Sequence, residues 1–105
     1  MNRAAMLRGL KKGKNPIDLS IKKWQDIVDG VGFDDSSDNC ALCEVYANSV
    51  KGCSGCPGSA LCGTAGVSLY GEYCDATDGC QKNSLAKRIL AFLENAKLKE
   101  AQPVA

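Results

Sequence analysis

The stretch from Cys40 to Cys62, CALCEVYANSVKGCSGCPGSALC, decides the fold that we expect for this chain. It contains two C-x-x-C pairs, Cys40/Cys43 and Cys53/Cys56, with nine residues between them. A C-x-x-C turn places two sulfurs on one side of a tight loop, so two such turns that face each other present four thiolates to one tetrahedral ion. We call these pairs the first hook and the second hook. Together they predict a structural zinc site.

Other uses of the seven cysteines stay open at this stage. The spacer between the hooks is shorter than the about 15–20 residues of the common zinc-ribbon pattern. Cys56 and Pro57 are similar to the Cys-Pro ending of ferredoxin runs, so an iron–sulfur cluster is an alternative cofactor. Redox-active or structural disulfides are a further alternative. Cys62 is a possible substitute ligand, while Cys74 and Cys80 are expected to be buried structural thiols.

The bulk composition favours a single stapled domain. A chain of 105 residues buries too little apolar surface to be generously stable without a staple. Residues 1–14 contain no secretory signal core and no membrane-spanning run, so we expect a cytoplasmic protein with reduced or metal-bound thiols and no membrane partner. The chain has no histidine, which excludes mixed Cys/His zinc sites and imidazole catalysis. We therefore predict a protein that is not an enzyme.

Helical periodicity predicts a small, mostly α domain. One amphipathic helix is expected at about 16–29, where Asn15 caps the N-terminus and Pro16 takes the first helical position. A second is expected at about 84–99, and a short helix at about 41–49 leads from the first hook towards the second. Trp24 should pack on the C-terminal helix. Glycine-rich loops connect these elements, with one short strand around Val67 and Leu69.

The two helices place particular residues on particular faces. In the first, Lys22 and Lys23 are expected on the solvated face, opposite the apolar stripe that contains Trp24. In the second, the stripe should bury Trp24 between Ile89 and Phe92. Asn83 or Ser84 is expected to cap this helix.

Charge divides the chain into three parts. Residues 1–14 carry five basic and no acidic side chains, residues 31–80 carry seven acidic side chains and one basic, and residues 81–105 carry five basic and two acidic. We predict that 1–14 is a mobile basic tail and that 15–101 is a single metal-stapled domain.

The order of these features resembles a known group of proteins. A helix with a central tryptophan precedes a Cys-Ala-Leu-Cys hook, a Cys-Ser-Gly-Cys-Pro hook, a further cysteine with tyrosines, and a helix containing Phe-Leu. This order is similar to small cysteine-rich proteins of bacteriophages and prophages, largely of unassigned function. The likeness covers residues 17–96 loosely and 39–57 specifically. It implies a phage origin, a metal-stapled fold in the cytosol of a bacterial host, and no catalytic residues.

Three functions are compatible with the sequence. The leading hypothesis is a non-enzymatic protein-interaction module that modulates a host bacterial protein. The first alternative is a nucleic-acid-binding zinc module, and the second is an iron–sulfur or thiol redox protein. The basic residues that would contact phosphates in the first alternative are Arg3, Arg8, Lys11, Lys12, Lys14, Lys87 and Arg88.

Overall fold

The computed structural model describes residues 2–34, 39–46 and 69–101 of the chain, with the backbone alone for 99–101. This part of the chain forms α1 (Arg3–Lys11), α2 (Pro16–Val28), α3 (Ala41–Tyr46), α4 (Leu69–Asp75) and α5 (Gly79–Ala101). Over these residues the mostly helical prediction is confirmed. None of the described helices combines the length and the apolarity that crossing a membrane would require.

Helix α2 has nearly the bounds that the sequence predicts. The Asn15 side chain accepts a hydrogen bond from the Ile17 backbone N–H at 3.0 Å, and Pro16 occupies the first turn. The helix ends at Val28, and Gly30 follows with a left-handed φ of 80°. That conformation favours glycine because it has no Cβ. Local capping chemistry therefore determines both ends of this helix.

Helix α5 begins five residues before its predicted start at Ser84. Asp78 caps it, since its side chain accepts a hydrogen bond from the Cys80 N–H at 3.2 Å and its carbonyl accepts from the Lys82 N–H at 2.9 Å. Asn83, one of the two predicted caps, lies inside the helix and donates its side-chain N–H to the Val28 carbonyl at 3.2 Å. The predicted start is therefore wrong, because an acidic cap further upstream nucleates the helix earlier.

The main core lies between α2 and α5, as the paired apolar stripes predict. Its buried members are Ile17, Trp24, Leu42, Ala86, Ile89, Leu90 and Leu93. Phe92 is only partly buried at the edge of this cluster. The aromatic neighbours of Trp24 come instead from α4, where Tyr70 and Tyr73 meet its indole edge-on with ring centroids 6.2 and 5.0 Å away.

Helix α4 replaces the predicted strand. Leu69 opens a helical segment, so the strand prediction is wrong at this residue, and the described residues contain no strand at all. Both tyrosines of α4 face Trp24, which explains the outcome, because residues three apart share one face of a helix. Tertiary contact with the tryptophan favours the helix over a weak alternating pattern.

The N-terminal segment packs on the rest of the described structure. Met6 of α1 is fully buried and forms a second, smaller core with Leu19 and Ala41, against which Leu10 also packs. The Asn2 side chain caps the helix by accepting from the Ala5 N–H at 2.9 Å. This packing differs from the tail predicted for 1–14, because a single buried methionine docks a helix whose other positions are mostly basic or small.

Candidate metal centre

The first hook lies at the start of α3. The Cys43 backbone N–H donates to the Cys40 Sγ at 3.3 Å, while the Cys40 carbonyl accepts from the Glu44 N–H at 3.0 Å. Both cysteines are free thiols and half buried. The tight turn that C-x-x-C predicts is therefore present, with the two side chains in hydrogen-bond contact.

The surroundings of Cys40 stabilise its thiolate. The hydrogen bond from the Cys43 side chain lowers the pKa of Cys40 from 9.0 to about 6, and the backbone N–H groups of Cys43 and Leu42 act in the same direction. The charge of Lys23 lowers this pKa further, while burial opposes the shift. Because the thiolate is the form of cysteine that binds metal ions, the first hook is prepared for a cation at neutral pH.

A buried ion pair supplies the positive charge beside the hook. The Lys23 side chain is 4% exposed, and its Nζ donates to the Asp34 Oδ1 at 2.8 Å. The Tyr70 hydroxyl donates to the other oxygen of the same carboxylate at 2.7 Å. These contacts join α2, the segment after it and α4. The prediction that Lys23 lies on the solvated face of α2 is wrong, because Asp34 arrives from outside the helix to pair with it.

The first hook fits a thiophilic metal. Soft thiolate donors, N–H groups directed at sulfur and a buried cation nearby are features that zinc–cysteine sites use. The other predicted ligands, Cys53 and Cys56, and the substitute Cys62 lie outside the described residues. Within the residues that are described, no group of three or more cysteine, aspartate or glutamate side chains converges on one point. The four-sulfur site therefore stays a prediction, of which the structure describes two donors.

The remaining described cysteines lie apart from the interior. Cys74 on α4 and Cys80 at the start of α5 are both exposed. The prediction that these thiols are buried is therefore wrong. Each occupies an exposed helix position, so neither has the packed surroundings that a structural thiol uses.

A loop with exposed apolar side chains connects α2 with the hook region. Val31 is 78% exposed and Phe33 is 49% exposed. The backbone is nevertheless held, because the Val31 and Gly32 N–H groups donate to the Asp26 carbonyl at 2.9 and 3.0 Å. The fully buried Asn39 donates from its side chain to the Phe33 carbonyl at 3.0 Å. We call residues 31–33 the apolar loop.

Glycine at position 32 is required by close packing of the apolar loop. A Cβ on Gly32 would lie 2.7 Å from the Cβ of Asp26 and 2.9 Å from its carbonyl carbon. Any side chain here would displace the loop from the end of α2. The apolar loop is thus a fixed structure that presents two apolar side chains to solvent.

The basic residues proposed for phosphate contact separate into distinct places. Three of them line a single groove between α1 and α2, namely Arg8, Lys12 and Lys14. Arg3 pairs with Glu44 of α3 at 3.2 Å. Like Arg3, the residues Lys11, Lys87 and Arg88 do not line this groove. The structure therefore brings part of the predicted set together in one groove. Lys22 also lines this groove, although it is not among the basic residues predicted for phosphate contact.

The pKa of Cys40 makes the hook sensitive to pH. In the metal-free protein, alkylation of Cys40 is expected to follow a titration with its midpoint at about 6. In urea-unfolded protein the midpoint should move towards 9.0. Because the pKa falls on folding, the thiolate contributes stability that is fully present above the unfolded pKa and is lost as the pH falls through the folded pKa.

Mass spectrometry of the Cys40 peptide after brief alkylation at a series of pH values checks this expectation. Lys23→Met should raise the midpoint in the folded protein, because it removes a positive charge that favours the thiolate. Equal midpoints in folded and unfolded protein would contradict the proposed surroundings of the sulfur.

Fold and site together define a small helical protein built around a cysteine hook with a buried lysine–aspartate pair beside it. Comparison with known proteins finds no matching family model, no matching curated protein and no matching solved structure. The resemblance to small phage proteins accordingly stays a prediction from the residues quoted above.

Proposed function

We propose that this chain is a non-enzymatic, zinc-stapled module that binds a protein partner through the apolar loop. The observation that carries the proposal is the exposure of Val31 and Phe33 on a backbone held by three hydrogen bonds. A partly exposed aromatic ring on a rigid support is a favourable anchor, since little conformational entropy is lost when a partner covers it.

A further exposed apolar side chain follows the first hook in the chain. Val45 on α3 is also partly exposed, and α3 begins directly after Cys40. The Asn39 contact joins the segment before α3 to the carbonyl of Phe33. The apolar loop and α3 therefore share a common support. A partner that covers Phe33 would lie close to the metal centre without reacting with it.

In this proposal the metal is structural. Zinc held by Cys40, Cys43, Cys53 and Cys56 would cross-link the two hooks and contribute folding free energy. The chain's own residues prepare the Cys40 sulfur through the Cys43 N–H and the charge of Lys23. Four thiolates on a divalent ion leave about two negative charges, and a buried lysine offsets part of that excess.

The partner that we propose is a bacterial host protein, consistent with a phage origin. No histidine is present to act as a general base, which supports a binding role over catalysis.

Elemental analysis of protein purified without chelators distinguishes between the candidate cofactors. About one zinc per chain supports the proposal. Brown protein containing iron would replace zinc by a cluster, and a metal-free Cys40–Cys43 disulfide would favour a redox role.

A photo-crosslinking amino acid placed at position 33 of the full chain tests the binding surface. In a bacterial lysate it should give one discrete adduct that excess unlabelled protein competes away. Val31→Ser/Phe33→Ser protein should compete at least about tenfold less well, as expected for loss of an interface anchor. The matched control is the same probe at Leu98, an exposed apolar position on α5 that is 64% exposed. Identical adducts from positions 33 and 98 would overturn the proposal.

A further inference from the structure

A second surface of the molecule is a basic groove. It lies between α1 and α2 and has a volume of about 370 Å³. The residues that line it are Ala5, Arg8, Gly9, Lys12, Lys14, Asp18, Leu19 and Lys22. Its floor is small and apolar, while its rim is predominantly cationic. We call this feature the α1–α2 groove.

The charges of the α1–α2 groove do not cancel. Lys22 pairs with Asp26 at 2.8 Å, and the carboxylate of Asp18 pairs with Lys97 of α5. Arg8, Lys12 and Lys14 form no ion pair with any residue that the structure describes, and all three are exposed. Three uncompensated positive charges therefore line one groove.

The positions of these cations are set by the backbone. The end of α1 closes with hydrogen bonds from the Gly13 N–H to the Leu10 carbonyl at 3.0 Å and from the Lys14 N–H to the Gly9 carbonyl at 3.1 Å. Gly13 has a left-handed φ of 84°, as such a helix ending requires. The turn consequently holds Lys12 and Lys14 on either side of one glycine.

The groove also depends on close approach of the two helices. A Cβ on Gly9 would lie 2.8 Å from a methyl carbon of Leu19, so only glycine allows this separation without movement of Leu19. The buried Met6 and the Arg3–Glu44 ion pair hold the other end of α1. The groove is therefore built into the packing of α1, which distinguishes it from a set of lysines scattered on a flexible tail.

We propose that the α1–α2 groove binds the phosphodiester backbone of nucleic acid. Cationic side chains around a narrow groove are suited to phosphate oxygens, with arginine able to form two parallel hydrogen bonds. Among the described residues that line the groove there is no aromatic side chain for base stacking, so binding should not depend on base sequence. This function goes beyond the protein contact proposed for the apolar loop and uses a different surface.

The chemistry of α1 favours nucleic acid over other acidic partners. A helix that lies on an anionic membrane presents an apolar face to lipid, whereas Met6 and Leu10 of α1 face the protein interior. A protein interface is usually centred on aromatic or large apolar anchors, and the exposed rim here is formed by basic side chains. Phosphate groups are acidic ligands that can bind without an exposed apolar helix face and without an aromatic or large apolar anchor.

Fluorescence anisotropy with a labelled oligonucleotide of mixed sequence tests this assignment on the full, metal-loaded chain. Binding at low salt should weaken as salt rises, with a log–log slope of about −2 if three phosphates of a single strand are neutralised. Lys12→Gln/Lys14→Gln should weaken binding about tenfold or more. The charge-matched control Lys87→Gln/Arg88→Gln, on exposed positions of α5, should change affinity less than about threefold.

The following outcomes would overturn the assignment of the α1–α2 groove to nucleic acid. Equal losses from the two double variants would show attraction to net charge alone, and absence of binding at low salt would remove the site. Stronger binding to phosphatidylserine vesicles or to polyglutamate than to the oligonucleotide would assign the groove to a membrane or to an acidic protein. Because all four substituted positions are exposed, circular dichroism should show an unchanged fold in both variants.

Discussion

Replacing Lys23 by methionine is expected to destabilise the protein by about 3–5 kcal/mol, because it leaves the Asp34 carboxylate without its buried cation. The Lys23 and Asp34 side chains are only 4% and 11% exposed, so water cannot replace the lost partner. A loss of this size is a large share of the about 5–15 kcal/mol that stabilises a typical native protein. Urea unfolding followed by the fluorescence of Trp24 measures the change.

The neighbouring lysine provides the control. Lys22 pairs with Asp26 at the same distance of 2.8 Å, yet its side chain is 65% exposed. Lys22→Met should therefore cost much less stability than Lys23→Met, because an exposed ion pair is screened by solvent and contributes little. Equal effects of the two substitutions would contradict the importance of burial.

A double variant separates lost attraction from the cost of an unpaired charge. Lys23→Met/Asp34→Asn removes both charges and keeps an oxygen that accepts the Tyr70 hydroxyl hydrogen bond. It should be more stable than Lys23→Met alone, because no buried charge is left without a partner. A double variant as unstable as the single one would show that Lys23 acts mainly by packing.

Removing the proposed zinc with a strong chelator is expected to lower stability by at least about 3 kcal/mol, equivalent to about 12 °C or more in melting temperature for a domain of this size. The loss should concentrate at α3 and the apolar loop. The α2–α5 core should remain helical, because all of its buried members except Leu42 lie on these two helices. Thermal unfolding with and without chelator, followed by circular dichroism, measures the effect.

Cysteine substitutions identify which sulfurs matter for this effect. Cys43→Ala should reproduce the chelator's effect and abolish its further action, since one ligand is lost. Cys74→Ser and Cys80→Ser are the controls, because both thiols are exposed and lie outside the proposed ligand set. A chelator that leaves the melting temperature unchanged would contradict a structural metal, as would equal losses from all three substitutions.

The parts of the fold that sequence predicts well are those set by local chemistry. Asn15, Pro16 and Gly30 specify the ends of α2 through capping and a left-handed turn. The spacing of Ile17 and Trp24 specifies the face that meets α5. The C-x-x-C spacing likewise predicts the tight turn seen at the first hook.

The sequence-based predictions are wrong where contact with a residue distant in the chain alters the burial or the secondary structure that the local pattern predicts. Lys23 is exposed according to helical periodicity, yet Asp34 and Tyr70 complete its burial from two other segments. Leu69 begins a helix because the tyrosines that follow it pack against Trp24. Helix α5 starts before its predicted caps, Asn83 and Ser84, because Asp78 caps the helix further upstream by accepting a hydrogen bond from the Cys80 N–H.

By itself the sequence determined the mostly helical character, the apolar faces of α2 and α5 and the turn of the first hook, since these follow from residues close together in the chain. Only the tertiary structure decided that Lys23 is a buried counter-charge, that Met6 docks α1, and that Arg8, Lys12 and Lys14 face one groove. Each of these depends on which segments meet in space. Periodicity and capping carry no information about such meetings, because they act within a few residues along the chain.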